Sequence, residues 1–191
     1  MEKTDEEIML DYQSGNREAI SMIFHRYKNR ILNFCVRILG NRADAEDVVH
    51  DVFVALLSSP YKQQPNAKFS TWLFTIARNR CIDKIRKTKK IFSMTFTNKD
   101  QSTQWDVPDE TDISSQNLEK KERAVFVQKA ISRLDYQQRE AIVLREYHQF
   151  SYDEIAKILN CSLNNVKILI FRAREKLRVE LSSYIQEGYH D

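Results

Sequence analysis

The residues with the most chemistry to offer lie between Lys68 and Lys90, in KFSTWLFTIARNRCIDKIRKTKK. Eight Lys or Arg (68, 78, 80, 84, 86, 87, 89 and 90) accompany a single acid, Asp83, for a net charge of +7. Helical periodicity puts Leu73, Ala77, Cys81 and Ile85 on one stripe and Trp72, Ile76, Asn79, Asp83 and Arg86 on another. An indole, an amide and several cations on one face suit unpaired nucleobases. Aromatic faces stack on bases, amides read their edges and cations hold the phosphates. The plainer alternative is that Trp72 packs on another helix beside a solvated basic face.

A second constellation runs from Phe150 to Leu177, FSYDEIAKILNCSLNNVKILIFRAREKL. Ser151 and Glu154 have the spacing of a capping box, which starts a short helix through Ile155, Ala156 and Leu159. Asn160-Cys161 reads as a tight turn and Ser162 as the N-cap of a longer helix. In that helix Val166, Ile170, Ala173 and Leu177 share one face, while Asn164, Lys167, Ile168, Phe171 and Arg172 point away from it. A short helix, a tight turn and a second helix with amides and cations on its free face predict a helix-turn-helix. An ordinary αα-hairpin with a basic exterior is the alternative. The basic run Arg172, Arg174, Lys176 and Arg178 weighs against it.

A third group is acidic. In a helix expected over roughly 43–58, Asp44, Glu46 and Asp47 occupy the first turn, where carboxylates complement the helix dipole. Val48, Val49, Val52, Phe53, Leu56 and Leu57 form its buried side. Glu46, Asp47, His50 and Asp51 have spacings that admit a metal, but one His among carboxylates is a weak ligand pattern. An acidic face that docks on a basic partner helix explains these residues better.

Helices must position all three groups. The 191 residues include only three Gly and three Pro, which disfavours a turn-rich β fold. With 42% hydrophobic and 30% charged residues, the chain reads as globular and all-α. A short helix is expected over 5–14. A longer one, capped by Asn16, should run to Leu39 and stop at Gly40-Asn41. Residues 59–67, with two Pro, read as a loop that delivers the chain to the basic helix, for which Ser70 is the candidate N-cap. The helical period is lost over 91–118 and returns from Glu119. The organisation is therefore two small helical domains, 1–90 and 119–191, joined by a flexible acidic linker over 91–118. Their net charges are +5, +2 and −4 respectively, a segregation that points to a polyanionic partner engaged at two places.

The N-terminus lacks a signal-peptide pattern, and no apolar run is long enough to enter a bilayer, so no membrane insertion is expected and the location reads as cytoplasmic. Cys35, Cys81 and Cys161 are scattered and suit buried thiols in a reducing compartment. No cofactor and no metal is expected. His25, His50, His148 and His190 are isolated, and no nucleophile–base set or phosphate-cradling loop supports an enzyme.

Taken together, the DAED helix, the F-S-T-W-L…A-R-N basic helix, the acidic linker and the S-Y-x-E-I-A…V-K…R-A-R-x-K-L helix-turn-helix resemble the sigma-70 family of bacterial RNA polymerase initiation factors. The resemblance covers about 5–90 and 119–182, and within the family it is to the two-domain extracytoplasmic-function class. It implies that 1–90 is region 2, which docks on polymerase and reads and melts the minus-ten element. It implies that 119–191 is region 4, which reads the minus-thirty-five element. Asp44, Glu46, Asp47 and Asp51 would contact the clamp helices of the largest polymerase subunit, and region 4 would meet the flap. Lys68, Trp72, Arg78, Asn79, Arg80, Lys84, Arg86 and Lys87 would face minus-ten DNA, with Asn79 at the position of the flipped-base pocket. Ser162, Asn164, Asn165, Lys167, Ile168, Phe171, Arg172 and Arg174 would face minus-thirty-five DNA. Core RNA polymerase, promoter DNA and an anti-sigma factor are the implied partners. A stand-alone helix-turn-helix regulator is the competing reading, and it leaves the Lys68–Lys90 helix unexplained.

One departure stands out. Where the family's recognition helix commonly carries Ser and Arg, this chain has Ile168 and Leu169. Fewer polar contacts, with apolar contact to thymine methyls instead, are expected there. An exposed Ile168-Leu169-Phe171 patch would also suit an anti-sigma factor.

Overall fold

Eight helices pack around one continuous apolar core in the computed structural model, which describes residues 3–58, 68–94 and 118–187. They are α1 (Asp5–Gln13), α2 (Ala19–Leu39), α3 (Arg42–Ser58), α4 (Phe69–Met94), α5 (Leu118–Ser132), α6 (Tyr136–Glu146), α7 (Tyr152–Leu159) and α8 (Leu163–Glu187). All regular structure among the described residues is α-helical, as the composition predicts. The loop expected at 59–67 and most of the linker expected at 91–118 lie outside the described residues.

Local chemistry accounts for several helix ends. Thr4 and Glu7 form a capping box on α1. Gly40 closes α2 in the left-handed region at φ 73°, a conformation that costs a residue without Cβ nothing. The next residue, Asn41, accepts a 2.8 Å hydrogen bond from the Asp44 amide and so caps α3. Two expected caps are displaced. Asn16 accepts from the Glu18 amide at 3.1 Å in a local turn, and α2 begins only at Ala19. Ser70 already lies inside α4. The Phe69 amide donates to Glu6 Oε1 at 3.0 Å, so a carboxylate from α1 satisfies this N-terminal donor across 63 positions of sequence. The basic helix also runs past Lys90 to Met94, because Thr88–Met94 contains no breaker.

The first four helices bury Ile8, Ile23, Tyr27, Phe34, Leu56, Phe69, Leu73 and Phe74 almost completely. Cys35 and Cys81 meet inside this core with their sulfurs 3.7 Å apart. The last four helices bury Ile142, Val143, Leu144, Ile155, Val166 and Ile170.

These two halves do not stand apart. Helix α2 packs on α5 and α6, and α4 packs on α7. At the centre of the seam the Phe74 ring lies 4.9 Å from both Phe150 and His148, and Phe34 lies 5.9 Å from His148. Such aromatic pairs add roughly 0.5–1.5 kcal/mol each beyond the area they bury. Around this cluster polar groups close the seam. Arg37 is only 5% exposed, donates to Gln128 Oε1 at 3.1 Å and sits 3.5 Å over the Tyr147 ring. Arg139 donates to the Ile131 and Leu134 carbonyls at the end of α5 and reaches across to the Ile38 carbonyl at 3.1 Å. A cation is thus placed at the C-terminal ends of two helices, where orphan carbonyls concentrate negative potential.

Candidate nucleic-acid interface

Helix α4 presents Asn79, Arg80, Asp83, Arg86 and Lys87 to solvent. Because Leu73, Phe74, Ala77 and Cys81 are held in the core, the rotation of the helix is fixed and its amide and cations face outward together. Trp72 is half-buried instead, packed on the core with its ring 5.7 Å from Phe69. Of the two readings open for this indole, packing against the fold is the one its position favours.

Three cations expected on the minus-ten surface have partners within the chain. Arg78 donates to Glu140 Oε1 at 2.8 Å, and the Glu140 side chain is 0% exposed. Burial pushes the Glu140 carboxyl above its ordinary value, while the Arg78 guanidinium pulls against that shift. Lys68 pairs with Glu154 Oε1 at 2.9 Å. The Glu154 hydrogen bond and charge hold this amine above its ordinary pKa. The same carboxylate accepts from the Ser151 amide through Oε2, so one residue caps α7 and binds α4. Lys84 lies 2.9 Å from both Asp44 and Asp47, whose hydrogen bonds raise its pKa.

That last bridge also joins the docking candidates to the DNA-facing candidates. Asp47 and Asp51 form one wall of an open groove of about 600 Å³, and Arg80, Lys84 and Arg86 form the other. Glu46 is paired with Arg42 at 3.1 Å, and Asp51 is exposed beside His50. Among the described residues, no set of three His, Cys, Asp or Glu is grouped to hold a metal.

The helix-turn-helix forms as the sequence predicts. Ser151 and Glu154 make the capping box of α7, Asn160 turns the chain at φ 51°, and Ser162 Oγ accepts from the Asn165 amide to start α8. Ser162 therefore serves the helix end, and Asn165 is half-buried behind it. Lys167 and Arg172 are exposed, as are Asn164, Ile168 at 48% and Phe171 at 66%. Leu169 turns inward and is 8% exposed, which removes it from the apolar patch expected on this face. Farther along, Arg174 is tied to Glu146 at 2.7 Å, Lys176 to Asp135 at 2.6 Å and Arg178 to Glu175 at 3.0 Å.

Glu140 and Glu154 are the residues that sequence reading missed as partners of α4. A signal existed for Glu140. It falls between Tyr136 and Leu144 at i, i+4, i+8 on a core-facing stripe, where a carboxylate needs a cation. Nothing in sequence says that the cation is Arg78.

Comparison with known proteins agrees with this arrangement. The family model described as sigma-70 region 2 matches residues 23–91, and that described as sigma-70, region 4 matches residues 125–177. The chain is 33% identical over 177 residues to the ECF RNA polymerase sigma factor SigW of Bacillus subtilis, covering 88% of this chain and 92% of that protein. It is 30% identical to the ECF RNA polymerase sigma-E factor of Haemophilus influenzae, covering 91% and 93% of the two chains. Two solved structures share the fold, each at 24% identity with a TM-score of 0.68. One is RpoE of Bartonella quintana in complex with the anti-sigma factor NepR, covering 85% of this chain and 96% of that one. The other is CnrH in complex with the cytosolic domain of CnrY, covering 95% and 99%. With regions 2 and 4 both matched and a full-length relative above 30% identity, the chain belongs to the extracytoplasmic-function class of the sigma-70 family.

Proposed function

We propose that this chain is a dissociable promoter-recognition subunit of RNA polymerase, with region 2 reading and melting the minus-ten element and region 4 reading the minus-thirty-five element. The observation that carries this reading is the pair of exposed amide-and-cation faces, one on α4 and one on α8, each on a separately matched region of one chain. A stand-alone duplex binder needs only the second. Asn79 accepts the flipped base, while Arg80, Arg86 and Lys87 hold phosphates around it. Strand opening draws on binding energy alone, with no bond made or broken in the protein. Asp51 leads the docking face towards the clamp helices. Glu46, Asp44 and Asp47 contribute beside it with part of their charge already neutralised, Glu46 by Arg42 and the two Asp by Lys84. An anti-sigma partner is expected by likeness to the two complexed structures. The chain acts in the cytoplasm, where polymerase is; among the described residues no helix is long and apolar enough to cross a membrane.

The same reading requires the two halves to part. The two promoter elements lie about 25 base pairs apart by name, which is roughly 85 Å of duplex at ~3.4 Å per pair. A compact body of this length is only about 40 Å across. Holding both elements therefore breaks the seam and releases Arg78 and Lys68 from Glu140 and Glu154. The 95–117 segment, at ~3.5 Å per residue, can span at most about 80 Å, enough for the separation with the two domains making up the rest.

In vitro transcription with core polymerase tests the reading. Asn79→Ala should lower open-complex yield at least tenfold while polymerase capture stays at the wild-type level. Tight duplex binding with no polymerase-dependent initiation from any promoter would instead identify a stand-alone regulator.

A further inference from the structure

We propose that Ile168 and Phe171 read thymine, through its C5-methyl group, in the major groove of the upstream promoter element; this rests on the sigma-factor reading above. The placement comes first. In a helix-turn-helix the N-terminal half of the second helix meets base edges. In α8 that half has its register fixed by Val166, Leu169, Ile170 and Ala173, all 8% exposed or less. The opposite face is then Leu163, Asn164, Lys167, Ile168, Phe171 and Arg172. Ile168 and Phe171 lie one helical turn apart on it, with 48% and 66% of their surfaces open to water.

Leu163, Ile168 and Phe171 are exposed apolar side chains on this face, the last two the most open, and the surrounding charge says what covers them. From Leu163 to Arg174 the helix contains no acid, and Lys167 and Arg172 flank the apolar pair. That setting fits a polyanion. Among the groups the four base pairs display in the major groove, the thymine methyl is the apolar one, and isoleucine and phenylalanine match it in kind. Asn164, exposed one turn earlier, has the bidentate geometry for adenine. The face as a whole therefore selects A·T pairs at its centre, with thymines beneath Ile168 and Phe171. Burying one methyl is worth about fourfold in affinity.

The test uses holoenzyme assembled from core polymerase and the full chain. Active promoters are first selected from a library randomised over the upstream element. Each thymine of a selected element is then replaced by deoxyuridine, which removes only the methyl and keeps every hydrogen-bonding group. The expected result is thymine enrichment at one or two positions and a three- to fivefold slower open-complex formation on uracil there. That penalty should vanish in Ile168→Ala at one position and in Phe171→Ala at the other. Because both residues are exposed, these variants should melt with the wild-type protein, and melting curves verify it. No thymine enrichment, or initiation indifferent to uracil, overturns the proposal while leaving the sigma-factor reading intact. If Phe171→Ala initiates normally but loses affinity for a protein inhibitor, the patch belongs to that protein and the proposal also fails. No initiation from any library member defeats both readings.

Discussion

Helices α4 and α8 each carry an exposed face of amides and cations, yet the rest of the chain treats the two faces differently. On α4 and at Lys68 just before it, three of the expected phosphate-holding cations are already engaged by carboxylates of the same chain, two of them from the other half of the molecule. On α8 the paired cations Arg174, Lys176 and Arg178 lie in the middle of the helix, Arg174 being one of those expected to face DNA, and the first turns stay exposed with three bare apolar side chains, Leu163, Ile168 and Phe171. On the proposed reading, the first turns of the upstream face are open before DNA arrives, whereas the minus-ten face is partly occupied by the chain's own acids. Ion pairs are a suitable occupant: they compete with phosphate for the same cations and give way when a denser anion is presented.

The largest effect that bears on this contrast comes from one substitution made in both places. Phe74→Ala should cost about 3–4 kcal/mol, because it empties the aromatic seam against Phe150 and His148. Phe171→Ala should stay within about 0.5 kcal/mol of wild type, since its ring is 66% exposed. Urea unfolding of the two variants decides it, and equal losses would erase the distinction between an engaged and a free helix.

Next comes the buried pair. Glu140→Ala strands the Arg78 guanidinium in the seam and should destabilise the closed form by about 3 kcal/mol. The freed cation should also steepen the salt dependence of single-stranded DNA binding by somewhat under one unit of slope. Fluorescence anisotropy over a salt series measures this. An unchanged slope would mean that Arg78 does not turn to DNA.

The smallest effect is a pH dependence centred on His148. Burial, with Arg30 and Arg37 nearby, depresses its pKa to about 3, against an ordinary value of 6.5. The folded protein therefore keeps this imidazole neutral while the unfolded chain binds a proton below pH 6.5. Stability from this group is fully present above pH 6.5 and falls as the pH drops towards 3. The slope is about 1.4 kcal/mol per pH unit once below 6.5, or roughly 2 kcal/mol by pH 5. Denaturant midpoints at pH 7 and pH 5 should differ by more in wild type than in His148→Phe. Equal differences would remove His148 from the seam's energetics.

The outward-facing residues of α4 and α8 were legible in sequence wherever periodicity governs them. The i, i+4 stripe of Leu73, Ala77 and Cys81 determines that Asn79, Arg80 and Arg86 face outward, and the structure gives that rotation. Ser151, Glu154 and Ser162 announced α7 and α8 because capping is a bond between residues three positions apart. Leu169 was harder to place. It sits at the edge of the inward stripe, and only the packed neighbours turn it 8% exposed rather than outward with Ile168.

By itself, then, the sequence determined the helices, the caps of α7 and α8, the two basic faces and the family, all of which follow from chemistry within a few residues of each position. What tertiary structure alone decided is who partners whom. Glu6 closes the start of α4, Glu154 holds Lys68, Glu140 holds Arg78, and Lys84 bridges two acids of α3. Each of these links joins residues at least 37 positions apart. Every one pairs a common cation or helix end with a common carboxylate. With 30 basic and 27 acidic residues in the chain, charge alone leaves hundreds of pairings open, and only the burial of particular helix faces against one another selects among them.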